Sequence, residues 1–121
     1  NVRKILGMDP GKAEKLVGKT TVTAYRRLHE IIGSVLDRLG EARREEQLPR
    51  ILVDLAKSLI MVRYQRARDQ VSAELASALE AIVNGVLDRA SRSQGEISSI
   101  ARRARTLLDS LAVLVYQVGR K

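Results

Sequence analysis

The chain of 121 residues has no cysteine, no tryptophan and no phenylalanine, one histidine and two prolines. Without cysteine there is no disulfide and no thiolate to act as nucleophile or metal ligand, a composition compatible with the cytosol. One imidazole, His29, cannot found a zinc site without a second His or Cys. Three tyrosines make up the whole aromatic content, and Tyr25 and Tyr116 fall near apolar stripes. That is too little for the stacking platforms on which RRM and OB-type proteins lay bases. Long apolar runs are missing as well. The two most apolar windows, 51–62 and 107–118, are interrupted by Asp54 and Lys57 and by Asp109 and Gln117, short of the ~20 residues a membrane span needs. Residues 1–7 hold no apolar stretch of signal-peptide length. The first residue is not Met, which leaves open what precedes it. The expectation is a soluble, cytoplasmic protein with no membrane partner.

What is present in excess is positive charge. Twenty-two basic residues face fourteen acidic ones, for a net charge of +8, and sixteen of the basic residues are arginine. Arginine keeps its charge at any physiological pH and offers a planar fork of donors matched to phosphate oxygens. An excess of this size points to a polyanionic partner, nucleic acid before an anionic membrane.

At 45% apolar and 30% charged residues, the chain reads as one globular domain able to close a core without staples. The fold class is all-α, a compact single-domain bundle of about five helices spanning 1–121. Strand-like alternation is absent, and apolar residues recur at spacings of three and four. Asp9–Pro10 is an N-cap and first-position pair opening a short helix to Val17, with Gly18 at its end. Thr20 or Thr21 caps a second helix to Leu39, stopped at Gly40; Val22, Tyr25, Leu28, Ile32, Leu36 and Leu39 share its inner face. Residues 41–47 form a polar connector able to be helical. Leu48–Pro49 opens a third helix to about Gln70, with Leu48, Ile51, Leu52, Leu55, Leu59 and Val62 inward. Val53, Ala56, Ile60, Met61 and Tyr64 make this helix apolar nearly all round, so it sits at the bundle centre or under an oligomer contact, the centre being preferred. A fourth helix covers 71–89, with Ser72 as a cap and Val71, Leu75, Ala78, Leu79, Ile82 and Val86 inward. Within it, Gly85 marks either a close helix approach or a surface site. After a break at 91–95, a fifth helix runs 96–118 on a stripe from Ile97 and Ile100 to Leu114, Val115 and Val118.

Candidate chemistry is sparse. Gly11 through Gly18–Lys19–Thr20 has six residues between its glycines where a phosphate loop needs four, and no strand precedes it; a helix end followed by a Thr cap accounts for it. His29, on the border of an apolar face, fits one interhelical hydrogen bond better than general-base work. The carboxylates are scattered among arginines, with no cluster suited to Mg²⁺ or glycosidic chemistry. No catalytic, metal or cofactor site is expected, and the chain does not read as an enzyme.

The basic residues are better ordered. At about 100° per residue, Arg50, Lys57 and Arg68 form a strip on the third helix, away from its main apolar face. Arg27 and Arg38 align on the second. Arg102 faces opposite the core stripe of the fifth, with Arg103 and Arg105 on its shoulders. Arg63, Arg66 and Arg68 form one cluster able to line a phosphate backbone, and Arg102, Arg103 and Arg105 another. With so few aromatics, binding should be to backbone and shape, with little preference among bases.

Three stretches carry a family resemblance. Thr21–Val22–Thr23–Ala24–Tyr25–Arg26–Arg27–Leu28 is a Thr-rich entry into an apolar–Arg–basic–apolar helix start. Leu55–Ala56–Lys57–Ser58–Leu59 through Tyr64–Gln65–Arg66–Ala67–Arg68 is a Leu-rich helix carrying Tyr-x-x-x-Arg. Leu111–Ala112–Val113–Leu114–Val115–Tyr116 is an apolar helix ending in Tyr. In order, spacing and length the chain resembles the small subunit of type III-A (Csm-type) CRISPR–Cas interference complexes. It lacks a Pro before Tyr64 and a basic residue or His after Tyr116, which leaves the small subunit of Cmr-type complexes as an alternative. The resemblance implies a five-helix, non-catalytic subunit of an antiviral ribonucleoprotein complex. Its partners would be crRNA and target RNA, the other subunits, and further copies of itself. Matching positions make Arg26, Arg27, Lys57, Arg66 and Arg68 candidates for RNA contact. Two other readings stand beside it: a helical scaffold or adaptor with no nucleic-acid role, and a nucleoid-type DNA-binding protein.

Overall fold

A computed structural model describes residues 2–92 and 94–121 as six α-helices and two short 3₁₀ turns. The helices are α1 (Val2–Leu6), α2 (Pro10–Val17), α3 (Val22–Glu41), α4 (Leu48–Ala67), α5 (Ala73–Arg92) and α6 (Ile97–Val118). Helix starts follow side-chain chemistry. Pro10 opens α2. Thr21 Oγ1 accepts from the Ala24 amide at 3.2 Å at the head of α3, and Ser72 Oγ accepts from Leu75 N at 3.0 Å at the head of α5. Each satisfies one of the amides a helix start leaves without an intrahelical acceptor.

Two ends differ from the sequence reading. Helix α3 runs through Gly40 to Glu41, because Gly40 is tolerated where the Arg102 stem and Ala101 of α6 pack beside it. Helix α4 stops at Ala67 rather than near Gln70. Asp69 takes a left-handed φ of 61°, and the Asp69 and Gln70 amides return to the carbonyls of Arg66 and Gln65, both at 2.9 Å. This is the Schellman closure, with Asp in place of the usual Gly. The expected break at 91–95 includes Ser93, which lies outside the described residues; α5 itself continues to Arg92.

Helices α3 to α6 form a four-membered ring. Each packs on its two ring neighbours, α3 on α4 and α6, and α5 on α4 and α6, with no close backbone approach across either diagonal. Sequential connections are short, so neighbours run antiparallel. The short helices α1 and α2 pack on α6, and α2 also reaches α5. The tail ties back to the head of α3 through Val22 N to Arg120 O (2.7 Å) and Arg120 N to Thr20 O (2.9 Å).

This ring corrects one expectation. Helix α4 is not central: among the helices it packs only on α3 and α5, and it keeps an outward face. The core takes Leu48, Ile51, Leu55, Ser58, Val62 and Gln65 from α4, while Val53, Ile60 and Tyr64 stand 50–66% exposed. Gly85 has open space where a Cβ would sit, so of its two readings the surface one holds.

The core centres on the face between α3 and α6. Tyr25, Leu28, Ile32, Leu36, Leu39 and Leu108 are almost entirely excluded from solvent. The Tyr25 hydroxyl donates to Leu108 O at 2.8 Å, which makes burial of a phenol tolerable. Burial first, and the nearby Asp109 carboxylate second, push the Tyr25 phenol well above its ordinary range. The unfolded chain ionises this tyrosine from about pH 10, whereas the native state keeps it neutral. The stability it contributes is therefore complete below that pH and declines as pH rises above it. Alkaline urea titrations should show the wild type losing stability above about pH 10 more steeply than Tyr25→Phe; parallel curves would refute this assignment.

Candidate nucleic-acid interface

Each end of the ring carries its own set of basic residues. At one end meet the start of α3, the Schellman turn after α4 and the tail of α6, joined by Thr21 N to Gln70 O at 3.0 Å. Arg26, Arg27, Arg66 and Arg68 are exposed there, followed by Arg120 and Lys121. The sequence cluster Arg63–Arg66–Arg68 divides between two sides of α4. Arg63 and Arg66 line a cleft with Ala67 and Glu80 of α5, where Arg63 Nε reaches Glu80 Oε1 at 3.3 Å. Arg68 turns towards α3 and shares a second cleft of about 260 Å³ with Arg27, Thr21, Thr23, Gln65 and Gln70. No carboxylate lines that second cleft.

Aromatic rings hold two of these arginines. Arg26 lies 6.0 Å from the Tyr116 ring centroid and its Nε donates to the Tyr116 hydroxyl at 3.4 Å. That hydrogen bond is the main cause of a raised Arg26 pKa. Arg68 lies 5.4 Å from the Tyr64 centroid. A guanidinium on a ring keeps its charge and its in-plane donors available while losing rotamer freedom.

The opposite end is mixed in sign. Arg50 lines a cleft with Arg38, Arg44, Glu41 and Glu46, and Arg38 is itself bridged to Asp54 at 3.0 Å. Arg102 shares a cleft with Arg43 and Glu41. Arg103 and Arg89 rim a largely apolar groove between α5 and α6. Lys57 is exposed on the outward face of α4, in register with Val53, Ile60 and Tyr64.

Arg105 departs most from its expected place. Instead of reaching outward with Arg102 and Arg103, it lies across α3. Its Nε reaches Asp37 at 3.0 Å and its Nη1 reaches Asp109 at 2.7 Å. The guanidinium rests on Gly33, where a Cβ would come within 2.6 Å of Nη1. His29 joins the same network, its Nε2 2.7 Å from Asp109 and 3.2 Å from Arg105; that nitrogen donates to the one or accepts from the other according to tautomer. The interhelical bond to Asp109 is the role expected of His29. Two acids neutralise Arg105, so it belongs to the α3–α6 seam and not to the outward cationic surface.

The residue missed in the sequence is Gln65. It is 2% exposed, its Oε1 is buried without a partner, and it forms part of the Arg27–Arg68 cleft. Its position three residues after Val62, on the inward stripe of α4, was the available signal.

Comparison with known protein families, characterised proteins and solved structures finds no match. The functional reading therefore rests on the residues themselves. Among the described residues no group of three or more His, Cys, Asp or Glu is arranged to hold a metal, and no helix is long and apolar enough to cross a membrane.

Proposed function

We propose that the protein is a non-catalytic RNA-binding subunit that holds the sugar–phosphate backbone without reading bases. The assembly it best fits is the type III CRISPR–Cas effector whose small subunit the sequence resembles, where the backbone would be that of crRNA and target RNA. One observation carries the reading. Among the described residues only Arg38, Arg63 and Arg105 of the sixteen arginines are ion-paired, and Arg26, Arg27, Arg66 and Arg68 lie exposed around one end of the ring. The two arginines set on tyrosine rings have the pre-ordered geometry that phosphate recognition uses. Contacts to phosphate carry no sequence information, so discrimination among bases is weak.

Fluorescence anisotropy with unrelated RNA oligomers of equal length tests the reading. The expected outcome is micromolar affinity that differs less than about threefold between sequences, since phosphate contacts carry no sequence information. Absence of binding at low salt would refute it. Preference for duplex DNA in competition would favour the nucleoid-type alternative. A helical adaptor is the second reading, and the exposed Val53, Ile60 and Tyr64 on α4 favour it. It would give a protein–protein complex indifferent to ribonuclease.

A further inference from the structure

The seam between α5 and α6 is covered at one end and open at the other. Helix α2 packs on both helices, and Ser72 Oγ at the head of α5 donates to Leu16 O at 2.6 Å. Seam positions at this end are closed to solvent: Leu75, Ser110 and Leu114 are 0%, 4% and 3% exposed. Two helical turns away the equivalent positions are Ile82, Arg103 and Leu107. Here the seam is a groove of about 350 Å³, floored by Ile82, Gly85, Val86, Ile100, Ala104 and Leu107.

The open part has two features that call for an occupant. Gly85 stands within the 20-residue α5, with nothing within 4 Å of where its Cβ would sit. A glycine inside a helix costs stability against alanine, and no contact within the chain requires it; close approach of an outside backbone would. Arg89 and Arg103 rim the groove and no carboxylate lines it, and among the described residues neither guanidinium has a partner. An occupant must therefore bring apolar groups and negative charge together. An RNA strand supplies the charge but leaves the apolar floor wet. A small amphiphile would stay half in water along an open seam, whereas pocket ligands bury about 70–90% of their surface. A second copy brings the wrong sign, because the main exposed apolar stripe of this chain, Val53, Ile60 and Tyr64 on α4, carries Lys57 at its centre. A helix with an apolar face and acidic flanks answers both demands, and α2 shows that the seam accepts a helix. We propose that the open part of the α5–α6 seam docks an acidic amphipathic helix of another protein, its apolar face on Ile82, Val86 and Leu107 and its flanking carboxylates on Arg89 and Arg103. The groove lies towards the end of the ring opposite Arg27 and Arg68, so this docking is independent of the RNA-binding reading and compatible with it.

The test is an amide-shift titration of the isotope-labelled protein with a lactam-stapled helical peptide, Leu along one face and Glu on both flanks. The control peptide carries Gln in place of each Glu. The acidic peptide is expected to shift the Gly85 and Ile100 amides, and the Gln peptide to bind about tenfold more weakly for want of two solvent-screened ion pairs. Gly85→Leu fills the floor from an open position with a better helix former. Its thermal midpoint should not fall, while its affinity for the acidic peptide should drop by about tenfold or more. Arg89→Gln/Arg103→Gln, which changes only exposed, unpartnered side chains, should bind the two peptides alike, and it decides the matter should Gly85→Leu not fold. Absence of any shift at about 1 mM peptide rejects the proposal, as does a folded Gly85→Leu that binds like the wild type. Equal binding of both peptides by the wild type overturns the acidic assignment. If an RNA oligomer displaces the peptide, the groove belongs to the RNA surface, and the docking proposal falls while the RNA-binding reading stands. A wild type that sediments as a dimer and becomes monomeric as Gly85→Leu overturns the proposal in favour of a second copy. Peptide binding without RNA binding upholds the docking groove and refutes the RNA-binding reading alone.

Discussion

Replacing Arg27 and Arg68 together with glutamate is expected to lower affinity for an unstructured RNA oligomer by on the order of 30-fold at 0.1 M salt. Hydrogen bonds to charged groups contribute about 1.5–3 kcal/mol net when well shielded, and exposed ones less. Two solvent-screened contacts at about 1 kcal/mol each reach that factor, at 1.4 kcal/mol per tenfold. Among the described residues neither has an acidic partner, and the Arg68 guanidinium lies over the Tyr64 ring, so stability should change by less than about 1 kcal/mol. Arg105→Gln is the informative comparison. It removes a charge too, but one already held by Asp37 and Asp109, and RNA affinity should stay within about twofold. A loss in Arg105→Gln as large as in the double variant, although it removes one charge where the double variant removes four, would mean that the assigned end of the ring has no special role.

The largest effect on folding is expected from Leu108→Ala. Leu108 is fully buried on the α3–α6 face, and its carbonyl accepts from the Tyr25 hydroxyl. Truncation removes the transfer energy of the lost methyl groups and leaves a cavity in a rigid seam, about 2–5 kcal/mol in total. In a domain of this size that is a fall of roughly ten degrees or more in thermal midpoint. Ile60→Ala, on the outward face of α4 at 66% exposure, should change stability by less than about 0.5 kcal/mol. If Ile60→Ala lowers the midpoint as much as Leu108→Ala, the outward face of α4 is covered in solution, as self-association would require.

Much of the fold could be read from local chemistry. Asp9–Pro10, Thr21, Leu48–Pro49 and Ser72 open helices where their cap and first-turn preferences place them, and the stripes of α3 and α6 are buried nearly residue for residue. Helix α1 escaped notice because five residues carry no helical period, and its order comes from packing on α6. The end of α4 was misplaced because Asp69 gives no glycine signal for a left-handed residue. Its place in the ring was misjudged because all-round apolarity does not separate a central helix from one with a greasy outer face.

The interface was legible as charge but not as arrangement. Periodicity assigns Arg105 to a helix shoulder, yet its fate depends on Asp37 and Gly33 of another helix. Arg63, Arg66 and Arg68 are neighbours in sequence, and the helix turn sends them to different clefts. Gln65 reads as a polar residue near a helix end. Only packing reveals that its amide oxygen is buried and unanswered.

The most direct test of phosphate holding is the salt dependence of RNA affinity, measured for the wild type and for Arg27→Glu/Arg68→Glu. Each phosphate contact on a single strand contributes about 0.7 to the slope of log affinity against log salt. Engagement of three to six arginines gives a wild-type slope of roughly −2 to −4, the same for unrelated sequences, and the double variant should be shallower by about 1.4. A wild-type slope near zero, or a slope the double variant leaves unchanged, would contradict the account.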